Sequence, residues 1–137
     1  MNTKMFEKAN QVIKTCENGS FGVIDENGYP SVSTVSIIKP ENISEIYFST
    51  NIGGNKEKRL KKNNKASICC CAGGNNITLV GEAEILTDQE TKNKYWLDWF
   101  IDVYKGGKTD PDYCVIKFTT KRVSLWIDCE IAEFSID

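Results

Sequence analysis

The clearest chemistry in this sequence lies where an apolar run gives way to a very basic segment. Ser49-Thr50 ends the apolar run, Gly53-Gly54 supplies a turn, and Asn55-Lys56 opens the basic segment. Free backbone N–H groups at a helix start carry roughly half a positive charge, which suits a phosphate. Hydroxyls and a lysine beside them would complete an anion site. The spacing is not that of a Walker P-loop, and an ordinary solvated helix face is an equally good interpretation.

The charge of the chain is concentrated in this basic segment. Residues 56–65 hold six basic side chains and one acid, a local balance of +5 against −7 for the remainder. Single-strand nucleic-acid binders interleave basic and aromatic side chains, and no aromatic residue interrupts this segment. The overall acidity, with a pI of about 5.3, also disfavours such a partner. We therefore predict that the chain does not bind nucleic acid.

Two further positions could contact a ligand. Asn75-Asn76, before a predicted strand, could hydrogen-bond the edge of a planar heterocycle, although an ordinary turn is the simpler interpretation. Trp126 could stack on a ligand, although a tryptophan in a strand is more often a core residue. Trp96 and Trp99 fit the core side of an amphipathic helix.

The residue types exclude several kinds of site. The chain has no histidine, which excludes His-containing triads, His-ligated zinc, His-ligated haem and imidazole acid–base chemistry. Six cysteines occur without a CxxC pair, and Cys69–Cys71 are consecutive in a predicted strand, where neighbours point to opposite faces. We expect them to be small, reduced, buried side chains. Neither a metal site nor a catalytic residue is predicted.

Length and hydropathy bound the organisation of the chain. The 137 residues suit a single domain, 1–137. No apolar run reaches the roughly 20 residues of a membrane span, and no signal-peptide core is present. We therefore expect a cytoplasmic protein that does not associate with membranes.

Three helices are predicted from hydrophobic spacing and end signals. An amphipathic helix over 3–17 stops at Asn18-Gly19, and a short basic helix covers 56–64. Thr87 and Glu90 form a capping box that opens a third helix. That helix places Trp96, Trp99, Phe100 and Val103 on one face and ends near Gly106-Gly107.

The remaining pattern predicts about seven strands. Asn27-Gly28 indicates a two-residue hairpin turn between the first two, and Gly81 marks a bulge or a close backbone approach. Close spacing of the strands favours an antiparallel barrel over a βαβ sheet. Seven predicted strands cover residues 21–25, 30–38, 46–50, 66–72, 77–86, 113–118 and 123–127, and residues 131–136 are a possible last strand.

In this order the residues resemble the pyridoxamine 5'-phosphate oxidase-like flavoproteins, the FMN-binding split barrels, and within them the general-stress-protein branch. The resemblance covers Met5 to about Asp128. It depends on the order and spacing of several motifs rather than on one of them. These are the opening helix, Asp25-Glu26-Asn27-Gly28-Tyr29-Pro30, Ile46-Tyr47-Phe48-Ser49-Thr50, Lys56 with Leu60 and Asn63, Ala66-Ser67-Ile68, and Val80-Gly81-Glu82-Ala83-Glu84.

The resemblance implies a mainly β fold with α elements, namely an antiparallel split β-barrel of Greek-key type. An N-terminal helix and a helix between the fifth and sixth strands would flank it. It also implies a homodimer with FMN at each end of the interface. The strand Ser33, Thr34, Val35 and Ser36 would lie beside the flavin ring; the phosphate would be held by Ser49, Thr50, Asn55 and Lys56; and Asn76 and Trp126 would also contact the cofactor.

The function that the resemblance implies is an FMN-dependent oxidoreductase acting on an unidentified small molecule, such as a quinone-like or nitro-aromatic acceptor. The alternative is a non-catalytic protein of the same fold that binds or senses flavin. Pyridoxamine-phosphate oxidases proper carry an arginine at the position of Ser33, another basic residue at that of Asn55, and a final segment with Arg and His. This chain has none of these, so vitamin B6 oxidation is not expected.

Overall fold

The structure, a computed structural model, describes residues 2–136 as a seven-stranded sheet with three helices. The helices are α1 (Thr3–Ile13), α2 (Asn55–Lys62) and α3 (Gln89–Lys94), and short 3-10 turns cover Asp98–Asp102 and Gly107–Thr109. The strands are β1 (Asn18–Ile24), β2 (Pro30–Ser36), β3 (Glu45–Asn51), β4 (Lys65–Ala72), β5 (Asn75–Leu86), β6 (Tyr113–Ile127) and β7 (Glu130–Ser135).

The strands form one antiparallel sheet with an open path. Its order is β2-β1-β4-β5-β6-β3, and β7 pairs with the far end of β6. Within residues 2–136, the terminal strands β2 and β3 do not pair with each other, so the sheet does not close. The predicted mainly antiparallel β architecture is confirmed, and the open path is consistent with a split barrel. The Greek-key arrangement stays a prediction.

A bulge lies in the long strand β6, which the sequence pattern predicts as two strands. Val80 of β5 pairs with Arg122 and Gly81 pairs with Thr120, so Lys121 is an extra residue on β6. The extra residue shifts the alternation of core-facing side chains along β6, and this shift explains why the sequence pattern predicts two strands there. A Cβ atom at Gly81 would overlap the carbonyl oxygen of Thr119. Both predictions for this glycine, a bulge and a close backbone approach, are confirmed.

The first hairpin differs from its prediction. The loop between β1 and β2 is a three-residue turn, Glu26–Gly28, in which Gly28 alone has positive φ, at 84°. The Asp25 carboxylate accepts hydrogen bonds from the backbone N–H groups of Asn27 and Tyr29, each at 2.9 Å. This geometry fits a type I turn followed by a left-handed residue. The two-residue turn predicted from Asn27-Gly28 is therefore wrong.

The sequence also misplaces the end of α1 and the form of α3. The helix α1 ends at Ile13, and Asn18-Gly19 begins β1 rather than closing a helix. In α3 the cap is Asp88, whose carboxylate accepts from Thr91 N–H at 3.0 Å, so the capping box on Thr87 is wrong. The chain leaves the α-helix at Tyr95, and Trp99 and Val103 are exposed.

Two hydrophobic clusters explain that departure from a continuous helix. The main core lies between α1 and the sheet and includes the edge-to-face pair Phe21–Phe48. A smaller cluster around Phe100, Tyr104 and Tyr113 packs outside β3 and the first half of β6. The segment after α3 buries Phe100 fully and Trp96 in part in this cluster. A continuous α-helix could not place all of these aromatic rings in the second cluster, so the chain leaves the helix because packing outweighs helix propensity.

The cysteines are all thiols, and half of them are buried. Cys16, Cys70 and Cys114 are buried as expected, Cys69 is half-buried, and Cys71 and Cys129 are exposed, contrary to the expectation that all would be covered. Burial raises the pKa of the Cys70 thiol to about 12 and that of Cys114 to about 11. None of the helices formed by residues 2–136 has the length and apolarity to cross a bilayer.

Candidate functional site

The junction between β3 and α2 is built from a tight glycine turn. Gly53 has φ +79°, a conformation that favours glycine, and Gly54 occupies the N-cap position of α2 without a side-chain cap. Ser49 and Thr50 lie at the end of β3, and Asn55 and Lys56 begin α2. The structure therefore brings the four predicted phosphate residues to one junction.

A buried carboxylate accepts a hydrogen bond from a backbone N–H just before the start of α2. Glu57 is only 4% exposed, and its carboxylate accepts from Gly53 N–H at 2.6 Å and pairs with Lys61 at 2.9 Å. The Lys61 hydrogen bond and the Gly53 N–H hold the pKa of Glu57 below its ordinary value. One backbone donor and one lysine of α2 are thus already committed to an internal anion.

The cation that stays available at this junction is Lys56. Its side chain is half-buried, and no carboxylate within residues 2–136 lies at ion-pair distance from it. The Thr50 hydroxyl makes no hydrogen bond to a described residue, whereas the Ser49 hydroxyl is 3.3 Å from the Tyr104 hydroxyl. Because side chains alternate along a strand, Ser49 and Thr50 point to opposite faces of β3. Thr50 and Lys56 therefore fit an anion best.

Tyr104 is a residue near the site that sequence reasoning missed. It is buried between Phe100 and Tyr113, and burial raises the pKa of its hydroxyl. It donates to Ser49 from 55 residues further along the chain. No local pattern around Tyr104 indicates this contact.

The strand β2 presents the second group of predicted residues. Ser33 and Thr34 are exposed and Ser36 is half-buried, whereas Val35 belongs to the core, so any ligand contact from Val35 would come from its backbone. Ser33 pairs with the core residue Phe21 and therefore points to the inner side of the sheet. An exposed side chain on that side marks the opening between β2 and β3.

Two contacts hold β2 beside the β3–α2 junction. The Ile38 N–H, just after β2, donates to the Tyr47 carbonyl of β3 at 2.8 Å. At the other end of β2, Arg59 of α2 donates to the Ser31 hydroxyl at 3.1 Å. The β2 group and the junction group therefore flank the same opening.

The third group lies elsewhere, on the outer face of the sheet. Asn76 and Trp126 are register partners on β5 and β6. Trp126 is 54% exposed, and the Asn76 amide is held at 3.2 Å from the Cys69 thiol and 3.1 Å from the Thr78 hydroxyl. Its neighbour Asn75 accepts from Asp128 N–H at 3.1 Å and has a structural role. The structure does not bring Asn76 and Trp126 to the opening between β2 and β3.

Counting strands gives the scale of that separation. Ser36 pairs with Asn18 on β1, and β4 and β5 lie between β1 and β6, so Trp126 lies four strand spacings from β2. At about 4.8 Å per spacing this is about 19 Å across the sheet. Along β6, Thr50 pairs with Cys114 near the start of the strand, whereas Trp126 lies near its end.

Comparison with known proteins matches most of the chain to one family. The family model described as pyridoxamine 5'-phosphate oxidase matches residues 5–127. A structure from Clostridium acetobutylicum, of a protein related to general stress protein 26 of Bacillus subtilis, is 28% identical, with 99% of this chain and 97% of that chain covered and a TM-score of 0.86. No curated protein matches the chain significantly.

Two more distant structures share the fold. General stress protein 26 from Bacillus anthracis is 20% identical over 95% of this chain and 98% of that chain, with a TM-score of 0.79. A heme binding protein from Mycobacterium smegmatis is 17% identical over 94% of this chain and 57% of that chain, with a TM-score of 0.73. The match to the family model shows that the chain belongs to the pyridoxamine 5'-phosphate oxidase family, and its fold is similar to those of the general stress protein 26 structures.

Proposed function

We propose that this protein binds FMN as a homodimer and acts as an FMN-dependent oxidoreductase. One observation supports this proposal above the others: Lys56, half-buried and without a carboxylate partner in the described chain, lies at a helix start that borders the opening of the barrel. A phosphate there would gain a charge-assisted hydrogen bond and the favourable end of a helix dipole. The exposed hydroxyl of Ser33 lines the same opening, whereas that of Thr34 points to the other face of β2.

The chain's residues fit a role in binding and orienting rather than in proton transfer. Lys56, Asn55 and Thr50 would hold the phosphate, and β2 would offer hydroxyls and its unpaired edge to the ring. Bound FMN supplies the hydride and electron transfer itself. The buried Glu57 carboxylate is already committed to Gly53 N–H and Lys61, and the Tyr104 hydroxyl stays protonated because burial raises its pKa. A neutral hydroxyl is a poor general base, and this favours redox chemistry at the flavin.

The separation of the predicted residues supports a homodimer. Counted along the sheet, Trp126 lies about 19 Å from β2 and Asn76, one strand nearer, about 14 Å. Both lie on the outer face, so one flavin at the opening between β2 and β3 would not reach them in a single chain. A second copy could bring its own Asn76 and Trp126 to the opening of the first. The exposed Trp126 and its register partner Ile131, which is also exposed, form an apolar surface suited to such an approach.

An absorption spectrum tests the proposal directly. The protein is purified without added cofactor, measured, incubated with FMN, desalted and measured again. Retained flavin bands, with FMN released on denaturation, are the expected result, and a protein that stays colourless after FMN addition would contradict the proposal. Because one protein of the same fold binds heme, a parallel incubation with haem is included. Retention of haem without FMN would also contradict the proposal.

A non-catalytic flavin-binding protein is the second candidate. The absence of basic side chains at Ser33 and Asn55 favours it, because a flavin held by few charges would exchange with solvent. Reductant is added to the FMN-bound protein until the flavin bleaches, and a quinone or a nitro-aromatic compound is then added. Repeated reoxidation with turnover supports the enzyme, whereas bleaching and reoxidation at the rate of free FMN support the binding protein.

A further inference from the structure

A cleft of about 470 Å³ lies between α2 and the β1–β2 loop. Its volume is within the range of about 300–1,000 Å³ typical of small-molecule sites. One wall includes Asn55, which already belongs to the β3–α2 junction. The other lining residues are Ile24, Asp25, Glu26, Lys58, Arg59, Lys62 and Asn63.

Arg59 is the least exposed cation in this cleft. Its side chain is only 19% exposed, and it crosses from α2 to β2, where Nη1 donates to Ser31 Oγ at 3.1 Å. Ser31 precedes Ser33 by two residues, so both side chains lie on the same face of β2. The guanidinium is therefore held beside the inner face of β2, at the edge of the opening.

The two carboxylates of the cleft differ in how firmly they are held. Asp25 accepts two backbone N–H groups of its own loop, which fix it in place. Glu26 is 61% exposed and accepts from Arg59 Nε at 3.1 Å and Nη2 at 3.4 Å. These bonds hold the pKa of Glu26 below its ordinary value. Glu26 thus accepts the hydrogen bonds that the guanidinium could donate to another anion, and most of its side chain is exposed to solvent.

The other cations of the cleft are less constrained. Lys58 and Lys62 are exposed on α2 and have no ion-pair partner within residues 2–136. They raise the local positive potential, but they do not fix the position of a bound anion. With three cations and two carboxylates, the cleft carries a small positive balance that a phosphate would neutralise.

We infer that Arg59 binds the phosphate of the proposed FMN and that Glu26 is the internal anion that this phosphate displaces. The inference depends on the proposed function, because it names the residues of this chain that recognise the cofactor's charged end. A guanidinium presents paired donors that match a phosphate as well as a carboxylate. FMN affinity would then be set by competition between the phosphate and Glu26.

Riboflavin, which lacks the phosphate, separates this role from a structural one. FMN and riboflavin are titrated into the wild type, Arg59→Gln and Glu26→Gln, and binding is followed by the quenching of flavin fluorescence. Glu84→Gln, which removes an exposed carboxylate outside the cleft, is the matched control. We expect Arg59→Gln to weaken FMN about tenfold or more and Glu26→Gln to tighten it several-fold, with riboflavin and the control unchanged within about twofold.

Three results would overturn the inference. Equal losses of FMN and riboflavin in Arg59→Gln would give Arg59 a structural role only. If that variant does not fold, Glu26→Gln still decides, because an unchanged FMN affinity there would remove Glu26 as a competitor. Wild-type protein that binds neither flavin would instead overturn the proposed function itself, and the inference with it.

Discussion

The proposed dimer predicts that each flavin site combines residues from two chains. Thr50 pairs with Cys114 near the start of β6, and Asn76 pairs with Trp126 near its end. Cys114 and Trp126 are twelve residues apart along β6, which corresponds to about 40 Å of strand. In the proposed dimer, Lys56, at the Thr50 end, and Trp126 of one chain would therefore contact different flavins. Dimers made from one Lys56→Ala chain and one Trp126→Ala chain test this directly.

The arithmetic of such mixed dimers is specific. Lys56→Ala removes a charge-assisted bond of about 1.5–3 kcal/mol, a loss of roughly 10- to 100-fold in affinity. Trp126→Ala removes stacking of about 1–3 kcal/mol. Random pairing at equal amounts makes about half of the dimers mixed, and each mixed dimer has one intact site and one doubly defective site. About one quarter of all sites should then bind FMN with wild-type affinity.

The assay is an FMN titration of the mixture at concentrations between the wild-type and variant Kd values, followed by fluorescence quenching. The matched control mixes Asn76→Ala with Trp126→Ala, because both residues belong to the same half-site and their mixture restores no intact site. Recovery of about one quarter of the sites is expected for the first mixture only. A first mixture without any high-affinity site would refute the two-chain site.

Three further predictions concern stability and reactivity. Gly81→Ala should destabilise the fold by about 3 kcal/mol or more, since its Cβ would overlap a backbone carbonyl; Gly22→Ala, with its nearest atom at 3.6 Å, should cost far less in the same urea melts. Glu57→Gln should lower the free energy of unfolding at pH 7. The difference in stability between variant and wild type should vanish as the pH falls through the lowered folded pKa of Glu57, because protonation then removes the same charge from the wild type. A stability difference that persists at pH 2 would contradict this. Iodoacetamide should label Cys129 in the native protein well before the buried thiols, as followed by mass spectrometry, and equal rates would contradict the burial of Cys16, Cys70 and Cys114.

Local patterns predicted those parts of the fold that depend on a few neighbouring residues. Gly81 in an apolar run indicated a bulge or a close backbone approach, because a glycine in a strand interior often marks one of these. The basic helix α2 followed from the glycine turn before it and from its charged composition. The β1–β2 hairpin was predicted in the right place with the wrong turn, because the Asp25 side chain decides the turn type.

The contacts that shape the candidate site were beyond local patterns. Arg59 reaches Ser31 from 28 residues away, and Tyr104 reaches Ser49 from 55 residues away. The sequence shows Ser33 without a neighbouring cation, whereas the fold brings a guanidinium to the same face of β2. The form of α3 was missed for a related reason, since the second hydrophobic cluster exists only after β3 and β6 have paired.

The shared strand β6 also fixes the order in which the protein can fold during synthesis. Within residues 2–136, β3 has β6 as its only strand partner, and Thr50 and Cys114 are 64 residues apart along the chain. When α2 has emerged from the ribosome, β6, the strand that pairs with β3, has therefore not yet been synthesised. Pairings between distant segments form slowly because loop closure precedes any gain from contacts. We therefore expect the β3–α2 junction to be completed late, after translation of β6, with β3 exposed to chaperones and proteases until then.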